Sequence, residues 1–343
     1  MTAKIAFYAL RPADLAEHLG GTGRAAEPWR LLKAGVDPFR AGGLSAQAFA
    51  RFTSICDDAP LTVAKRVVAS CGTRKLGMAL SDGSAIETVL IPGITRTTVC
   101  VSSQVGCARG CSFCVTATLG LVRSLFASEM TGQVKLALDE ARTFALPPVR
   151  NVVFMGMGEP LDNLDEVNRA LGVLTDPMAF EIAPGHVTVS TVGTSPKAIL
   201  AASRFPSRLA WSIHAVDDGL RRKLVPTSRH SVLELRAAFL EALGQKCARL
   251  FVEMTLMRDV NDSVSDARAL AEFLSPFRPK ARVNVIPMNP GRTGHEPSPL
   301  ERAMRFGQVL RDQGYFCAIR RARGAAEFAA CGQLGIDGAR GTS

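Results

Sequence analysis

The pattern of apolar and polar residues changes near residue 97. From there, short apolar runs recur, separated by longer stretches with helical periodicity. The strands predicted from these runs are Thr98–Ser102, Asn151–Met155, His186–Val192, Leu209–Ile213, Leu250–Leu256, Arg282–Ile286 and Phe316–Arg320. Alternation of strands and helices is typical of parallel β/α units. These seven strands are fewer than the eight of a closed barrel, so the pattern predicts an open, partial (β/α) barrel.

One helix in this region has clear start and stop signals. Its apolar positions share one face and are Val232, Leu235, Phe239 and Leu243. Ser231 and Glu234 have the spacing of a capping box at its start. Gly244 is predicted to end the helix.

The first 96 residues follow another pattern. Residues 1–60 lack strand periodicity and contain helical pieces, including Ala13–Leu19 and Ala46–Ile55. Residues 61–92 instead predict an antiparallel sheet with a turn at Ser81-Asp82-Gly83-Ser84, and its strands are Val63–Ala69, Lys75–Leu80 and Ile86–Ile91. We therefore expect a small N-terminal α+β module over residues 1–96, the partial barrel over 97–335 and a flexible Gly-rich tail over 336–343.

The charge balance of the chain is strongly basic. Its 343 residues carry a formal charge of +10, which favours a polyanionic partner such as nucleic acid, although a charge that serves only solubility gives the same balance. The densest excess lies in residues 61–96, where few acidic residues offset Lys65, Arg66, Arg74, Lys75 and Arg96. We predict that this segment contacts phosphates. Two Trp and two Tyr argue against a large base-stacking platform.

Other features of composition exclude whole classes of protein. The chain has no apolar run of about 18 residues, so no membrane span is predicted. Met1–Leu10 lacks the apolar core of a signal peptide, so we expect a cytoplasmic protein. Nine cysteines are an odd number and favour metal or redox chemistry over a secreted disulfide framework.

Three cysteines follow the first barrel strand with the spacing C-x3-C-x2-C, and they are Cys107, Cys111 and Cys114. Three thiolates can hold three irons of a [4Fe–4S] cluster, and no fourth cysteine follows at ferredoxin spacing, so one iron stays open to another ligand. The alternatives are a zinc site with a distant fourth ligand and three unrelated buried cysteines. The spacing and its place after the first strand are typical of radical-SAM enzymes, in which S-adenosylmethionine (SAM) binds the open iron and is cleaved to a 5′-deoxyadenosyl radical.

Polar residues follow several predicted strands at the edge where barrel enzymes carry their chemistry. Each is a weak signal alone, because a Gly-Glu-Pro is usually a turn and a lone His is usually a core residue. Together they suit SAM: Glu159 can accept hydrogen bonds from an ammonium group, and the others can bind carboxylate and ribose hydroxyls. The candidate cofactor-binding residues are Gly158, Glu159, Ser190, Ser212, Ile213, His214 and Asn289.

Three further residues lie outside these stretches. Cys100 precedes the cysteine loop, and Cys331 follows the last strand, so both approach one substrate atom if that strand returns to the rim. Glu87 interrupts an apolar strand. From position alone, a buried strand residue is the favoured interpretation for Cys100, and a solvent-facing one for Glu87. The remaining cysteines have no motif around them and are interpreted as structural: Cys56, Cys71, Cys247 and Cys317.

Several segments together resemble one known family. These are Val99–Cys107, the cysteine triplet, Phe154–Leu161 and Ala330–Leu334. They closely resemble the RlmN/Cfr family of radical-SAM RNA methyltransferases. The resemblance runs from about residue 61 to 335, whereas the first 60 residues match the family's helical start loosely and are shorter.

The resemblance implies a mechanism for methylating adenine carbons that are not nucleophilic. Cys107, Cys111 and Cys114 would hold the [4Fe–4S] cluster, and Cys331 would first be methylated by SAM. A second SAM would supply the radical that removes hydrogen from this methyl group, and the carbon radical would add to the base. Cys100 would then attack the sulfur of Cys331 and release the product as a disulfide forms. Glu87 would accept a proton.

Gly158-Glu159-Pro160 is closer to the RlmN branch, whose members methylate adenine C2 in 23S ribosomal RNA and in some cases in transfer RNA. A Cfr-like C8 methyltransferase stays an alternative, as does a paralogue with another RNA target, since Val192 and Met288 depart from the family pattern. The resemblance also implies an electron donor such as flavodoxin or ferredoxin, and we expect a monomer without membrane contact. Rival classes are a radical-SAM peptide-modifying or glycyl-radical-activating enzyme and a basic RNA-binding protein with a vestigial Fe–S site. The combination of the triplet with Cys100, Cys331 and Glu87 argues against them.

Overall fold

A computed structural model describes residues 4–40, 42–58, 61–246, 249–289, 294–320 and 332–335. In chain order the strands are β1 (Ile5–Ala6), β2 (Cys56–Asp57), β3 (Leu61–Val68), β4 (Arg74–Leu80), β5 (Ala85–Pro92), β6 (Thr97–Val101), β7 (Gln104–Gly106), β8 (Leu121–Ser124), β9 (Val149–Phe154), β10 (Val187–Thr191), β11 (Arg208–Ser212), β12 (Leu250–Leu256), β13 (Ala281–Pro287) and β14 (Phe316–Ile319). The α-helices are α1 (Pro12–Leu19), α2 (Thr22–Lys33), α3 (Ala46–Ile55), α4 (Ala127–Thr143), α5 (Leu164–Thr175), α6 (Pro196–Ala202), α7 (Asp218–Leu224), α8 (Val232–Lys246), α9 (Val264–Phe273) and α10 (Leu300–Asp312). Short 3-10 helices lie at Phe7–Ala9, Val115–Leu119, Pro160–Asp162, Pro184–His186 and Ser275–Phe277.

One ten-stranded sheet organises the molecule, with the order β14-β13-β12-β11-β10-β9-β6-β5-β4-β3. From β6 to β14 the neighbouring strands are parallel. All seven predicted barrel strands are present, with ends that differ from the prediction by two residues at most. The edge strands β14 and β3 do not pair with each other. The predicted open, partial (β/α) barrel is therefore confirmed.

The parallel strands are apolar because helices cover the sheet. In β12, for example, Leu250, Val252, Met254 and Leu256 are all buried. The predicted capping box at the start of α8 is also confirmed, since Ser231 N donates to Glu234 Oε2 at 2.7 Å and Glu234 N donates to Ser231 Oγ at 3.2 Å. The predicted end at Gly244 is wrong, because α8 continues to Lys246. Packing of an apolar helix face outweighs the roughly 1 kcal/mol that a glycine costs inside a helix.

The N-terminal helices have an aromatic core of their own. Phe7 stacks on Trp29 with ring centroids 4.3 Å apart, and Phe52 packs edge-on against Phe7 at 5.2 Å. The same cluster includes Val173, so this core rests on α5 of the barrel. The predicted helices α1 and α3 are confirmed, whereas α2 and the short parallel pair β1–β2 were not predicted.

Strands β3, β4 and β5 form the predicted antiparallel sheet. The turn between β4 and β5 is closed by a hydrogen bond in which Gly83 N donates to Leu80 O at 3.0 Å. Strand β5 pairs with β6, so the antiparallel strands continue the barrel sheet across residue 96. No helix among the described residues combines the length and apolarity needed to cross a lipid bilayer.

Candidate active site at the carboxyl edge of the barrel

A cavity of about 160 Å³ lies where the parallel strands end. Its walls include Met155 after β9, Val192 after β10 and His214 after β11. Eight of the residues singled out in the sequence line it: Cys107, Cys111, Cys114, Gly158, Glu159, Ser190, Ser212 and His214. The cysteine loop therefore shares one cavity with five of the seven predicted SAM-binding residues.

Other candidate residues do not line this cavity. Ile213 and Asn289 are buried, and Ile213 lies between the lining residues Ser212 and His214 in the chain. Glu87 and Cys100 lie in the sheet. Cys331, Cys247 and the tail from residue 336 lie outside the described residues. Of the other cysteines interpreted as structural, Cys56 and Cys317 are buried, whereas Cys71 is exposed.

The cysteine loop is held by its own backbone. Cys107 N donates to Gly120 O at 2.8 Å, and Cys114 N donates to Cys111 O at 3.0 Å. Gly106, with φ of +76°, lies so close to the carbonyl of Gly120 that a Cβ atom would collide with it. A glycine is thus required where the loop leaves β7.

Burial keeps the free thiols of Cys107 and Cys111 protonated. It raises the pKa of Cys107 to about 11, and it raises the pKa of Cys111 further with the help of the neighbouring thiols of Cys114 and Cys107. Thiolates are the form that binds metal, so metal loading releases protons from these side chains. All three cysteines line the same cavity, so their thiols lie near one another.

Residues 332–335, which we call the C-terminal clasp, bind the segment after the cysteine loop. Val115 N donates to Gly332 O at 2.8 Å, and Thr116 Oγ1 donates to Leu334 O at 2.6 Å. Gly335 N donates to Glu87 Oε2 at 2.9 Å. The clasp therefore joins the cysteine loop to β5, and Gly332 and Leu334 line the cavity.

Glu159 is oriented by backbone amides. Its Oε1 accepts from Leu161 N at 3.0 Å, and its Oε2 accepts from Val192 N at 3.0 Å. Burial raises the pKa of Glu159 to about 7, against the effect of these hydrogen bonds. The preceding Gly158 has φ of +101°, and a Cβ there would lie 2.6 Å from Gln104 Cβ. A carboxylate fixed in a buried cavity can bind a cationic group strongly.

The next two strands contribute hydroxyl and imidazole groups. Ser190 Oγ lies 3.0 Å from Ser212 Oγ, so these side chains form one polar pair on adjacent strands. His214 adopts a left-handed backbone with φ of +59°, and its Nδ1 accepts from Thr255 N at 3.3 Å. This bond leaves the proton of the neutral ring on Nε2. Burial, aided by the charge of Arg221, lowers the pKa of His214 to about 3, so the ring is neutral.

Glu87 and Cys100 lie on one face of the sheet. Cys100 is directly opposite Val89 in the antiparallel pair β5–β6, and Val89 is two residues from Glu87. Directly opposed residues, and residues two apart on a strand, share a face. Glu87 is buried and its Oε1 lies 3.0 Å from Lys75 Nζ. The interpretation of Glu87 as solvent-facing is therefore wrong, because a buried lysine balances its charge.

Two of the five basic residues in the densest run of positive charge are withdrawn from solvent, whereas Lys65, Arg66 and Arg96 are exposed. Arg74 lies 3.0 Å from Glu140 and only 11 % of its side chain is exposed. Lys75 is buried against Glu87, and Arg66 also pairs with Glu140 at 3.0 Å. The expectation that Arg74 and Lys75 contact phosphates is therefore wrong, because both charges are spent on buried carboxylates.

Comparisons with known proteins decide the family. The profile of the Radical SAM superfamily matches residues 101–274. A probable RNA methyltransferase of Sorangium cellulosum is 46 % identical over 81 % of this chain and 70 % of its own length. A dual-specificity RNA methyltransferase RlmN of Phenylobacterium zucineum is 38 % identical over 91 % and 83 %. The chain belongs to the RlmN family of radical-SAM RNA methyltransferases.

A solved structure agrees with this membership. The crystal structure of a radical SAM methyltransferase from Sphaerobacter thermophilus superposes with a TM-score of 0.89 at 37 % identity, over 96 % of this chain and 99 % of the other. The similarity to this methyltransferase thus extends over the N-terminal helices as well as the barrel. The predicted resemblance is confirmed.

The radical-SAM family implies a [4Fe–4S] cluster and SAM, and the chemistry of the residues that line the cavity suits both. Each thiolate of a three-cysteine cluster binds a different iron, so three neighbouring cysteines that line one cavity suit such a cluster. Carboxylate, hydroxyl and imidazole groups on the facing walls suit a ligand with ammonium, carboxylate and ribose groups.

Two buried charged residues of this RlmN-family chain were missed from the sequence. Arg221, only 1 % exposed, donates to the carbonyls of Val192 and Ile213 and so ties the ends of β10 and β11 together. Its Nε has no hydrogen-bond partner among the described residues. Burial lowers the pKa of Arg221 to about 10, although the nearby Cys111 acts to raise it. In the sequence it stands in a run of three basic residues that gave no sign of burial.

Glu253 is the second missed residue. It lies in β12 and lines the cavity, and its Oε1 accepts from Asn284 Nδ2 at 2.7 Å. Arg320 Nε donates to the Oδ1 of the same Asn284 at 3.0 Å. Burial raises the pKa of Glu253. A signal existed here, because a carboxylate inside a continuous apolar run of a parallel strand is unusual.

Proposed function

We propose that the protein methylates C2 of an adenosine in 23S ribosomal RNA, and in transfer RNA as a second substrate, through a methyl group carried on Cys331. Relatives at 38 to 42 % identity bear the name dual-specificity RNA methyltransferase RlmN. The observation that carries the proposal is the C-terminal clasp. Directly after Cys331, the chain is bound both to the cysteine loop through Val115 and to Glu87.

The cavity residues have separate tasks in this proposal. Cys107, Cys111 and Cys114 hold the cluster, which when bound supplies the electron that cleaves SAM to a radical. Glu159 binds the ammonium group of SAM with a carboxylate that Leu161 N and Val192 N hold in place. Ser190, Ser212 and His214 bind its carboxylate and ribose hydroxyls. A small redox protein such as flavodoxin or ferredoxin provides the electron, and the enzyme meets its RNA in the cytoplasm.

Cys331, Cys100 and Glu87 act on the base. Cys331 carries the carbon radical that adds to adenine C2. The ring carbon then loses its proton to Glu87, and the one electron released in this step would return to the cluster that Cys107, Cys111 and Cys114 would hold. The Cys100 thiolate then attacks the Cys331 sulfur, an S–S bond forms, and the S–C bond breaks. The carbon leaves with the electron pair of that bond and is protonated to a methyl group. Glu87 and Cys100 support this division of roles because they share a face of the sheet next to the clasp.

Two mass-spectrometric measurements test the proposal. The enzyme is reconstituted anaerobically and incubated with SAM, a chemical reductant and either a 23S ribosomal RNA transcript or unmodified transfer RNA. We expect 2-methyladenosine in the digested RNA and a methyl group on the Cys331 peptide. The Cys331→Ala variant should show neither. Formation of 8-methyladenosine instead would show that the enzyme methylates C8 and not C2. An unmethylated Cys331 together with unmodified RNA would overturn the proposal.

A further inference from the structure

Three exposed basic residues lie beside the cysteine loop on the connection between β11 and α8. Arg222 and Lys223 end α7, and Arg229 lies beyond it. None of the three lies within ion-pair distance of a carboxylate in the part of the chain that the structure describes. We refer to Arg222, Lys223 and Arg229 as the rim cations.

The connection that carries the rim cations is attached directly to the cysteine loop. Ser112 N donates to Leu224 O at 2.9 Å, and Thr227 Oγ1 donates to Arg109 O at 2.9 Å. The buried Arg221 fixes the same helix to the ends of β10 and β11. The rim cations are therefore held at the carboxyl edge of the sheet, next to the cysteine loop that lines the cavity, and do not sit on a loosely attached loop.

Three further exposed cations without an ion pair among the described residues lie at the opposite edge of the sheet. Arg150 is near the beginning of β9, Arg204 precedes β11, and Lys280 precedes β13. In a parallel sheet, the beginnings of strands and their ends lie at opposite edges. These three residues share the charge and exposure of the rim cations but are remote from the cavity, so they form a matched comparison.

Stabilisation of α7 explains the rim cations only in part. Cations in the last turn of a helix interact favourably with its dipole, which accounts for Arg222 and Lys223. Arg229 lies five residues after the end of α7 and gains nothing from that dipole. A basic surface of three unpaired side chains beside a cavity suits a chain of phosphates whose base enters that cavity.

We infer that the rim cations bind backbone phosphates of the RNA on both sides of the nucleotide whose base enters the cavity. The inference rests on the proposed function for the identity of the polyanion. It places phosphate contacts outside residues 61–96, where Arg74 and Lys75 are paired with buried carboxylates and only Lys65, Arg66 and Arg96 are exposed. Phosphate contacts position the RNA, and the cavity selects the base.

The test compares two triple variants with the same change in charge. The rim variant is Arg222→Gln, Lys223→Gln and Arg229→Gln, and the control variant is Arg150→Gln, Arg204→Gln and Lys280→Gln. Binding of a 23S ribosomal RNA transcript and of transfer RNA is measured over a range of salt concentrations. The rim variant should bind about tenfold or more weakly near physiological salt, and its salt slope should fall by about 2, because three counterion-releasing contacts are lost. The control should match the wild type.

Two further readouts separate the possible failures. Iron content and SAM binding of the rim variant should equal those of the wild type, which shows that the cavity is intact. The inference is wrong if the wild type binds RNA and the rim variant binds RNA as tightly as the wild type or the control variant. The proposed function would stand in that case. If the wild type binds neither RNA, the proposed substrate is wrong.

Discussion

The ammonium group of Lys75 lies 3.0 Å from the carboxylate of Glu87, with only 7 % and 4 % of the two side chains exposed. Lys75 is directly opposite Val89, as is Cys100 on the other side of β5, so Lys75, Glu87 and Cys100 share one face across three adjacent strands. The second oxygen of Glu87 accepts from Gly335 N. An internal ion pair thus holds the proposed proton acceptor under the C-terminal clasp.

Removing one member of this ion pair should cost more stability than removing both. Lys75→Met leaves the Glu87 carboxylate buried without its counter-charge, so we expect a loss of about 3 kcal/mol in the free energy of unfolding. Lys75→Met combined with Glu87→Gln should recover much of that loss. Urea unfolding measures both. The exposed Lys197→Met serves as control and should change stability by less than about 0.5 kcal/mol. Equal losses in the single and double variants would contradict the ion pair.

Iron binding should depend on Cys111. The reconstituted protein should hold about four irons per chain and absorb light at about 400 nm, as a three-thiolate [4Fe–4S] site requires. Cys111→Ala should lose this absorbance, because one iron is left without its protein ligand. Cys317→Ala is the matched control, since that cysteine is buried elsewhere and lines no part of the cavity. Stoichiometric zinc without iron after anaerobic purification would speak for the zinc alternative.

Cys100→Ser should trap the enzyme on its substrate. Serine keeps the size of the side chain but is a far poorer nucleophile towards sulfur, so the link between RNA and Cys331 forms and is not broken. The purified variant should carry RNA fragments that survive denaturation, with the crosslink at Cys331. Glu87→Gln should accumulate the same adduct, and Cys331→Ala should carry none. Normal turnover by Cys100→Ser would show that the assigned roles of Cys100 and Cys331 are wrong.

The stability of the metal-free protein should report the titration of Glu159. Because its pKa rises from 4.5 to about 7 on folding, the folded state favours the protonated form. The stabilising contribution is complete below pH 4.5 and is lost as the pH rises to about 7, with an upper limit of about 3 kcal/mol. Glu159→Gln lacks this titration, so its stability relative to wild type should improve between pH 4.5 and 7. Parallel stability profiles over that interval would contradict the raised pKa.

Arg221 should influence the reduction potential of the cluster. A buried positive charge close to Cys111 favours the more reduced, more negative state of a neighbouring centre. Arg221→Gln should therefore make the potential more negative, whereas Arg221→Lys should restore part of the difference. The adjacent, exposed Arg222→Gln is the control and should leave the potential close to that of the wild type. Redox titration followed by electron paramagnetic resonance measures all three, and equal potentials would exclude the effect.

The sequence predicted the barrel well because its strands are continuous apolar runs, as in Leu250–Leu256. The cavity was predictable from the cysteine spacing and from polar residues such as Glu159 that follow strands. The partner of each charged side chain, however, could not be predicted from the sequence. Arg74 and Lys75 resemble phosphate-binding residues in the sequence, yet their partners lie far along the chain or on the next strand. The burial of Arg221 likewise depends on carbonyls that only the folded sheet brings to it.

The C-terminal clasp also sets an order for making the protein. Thr116 and Leu334, which are hydrogen-bonded, are 218 residues apart in the chain. At about 5–20 residues per second, a ribosome needs roughly 10 to 40 s to pass from one to the other. During that time the three cysteines have left or are leaving the ribosome, while the segment that forms part of the cavity wall does not yet exist. The nascent chain therefore offers its thiols to iron delivery, and equally to oxidation, before the clasp completes the cavity.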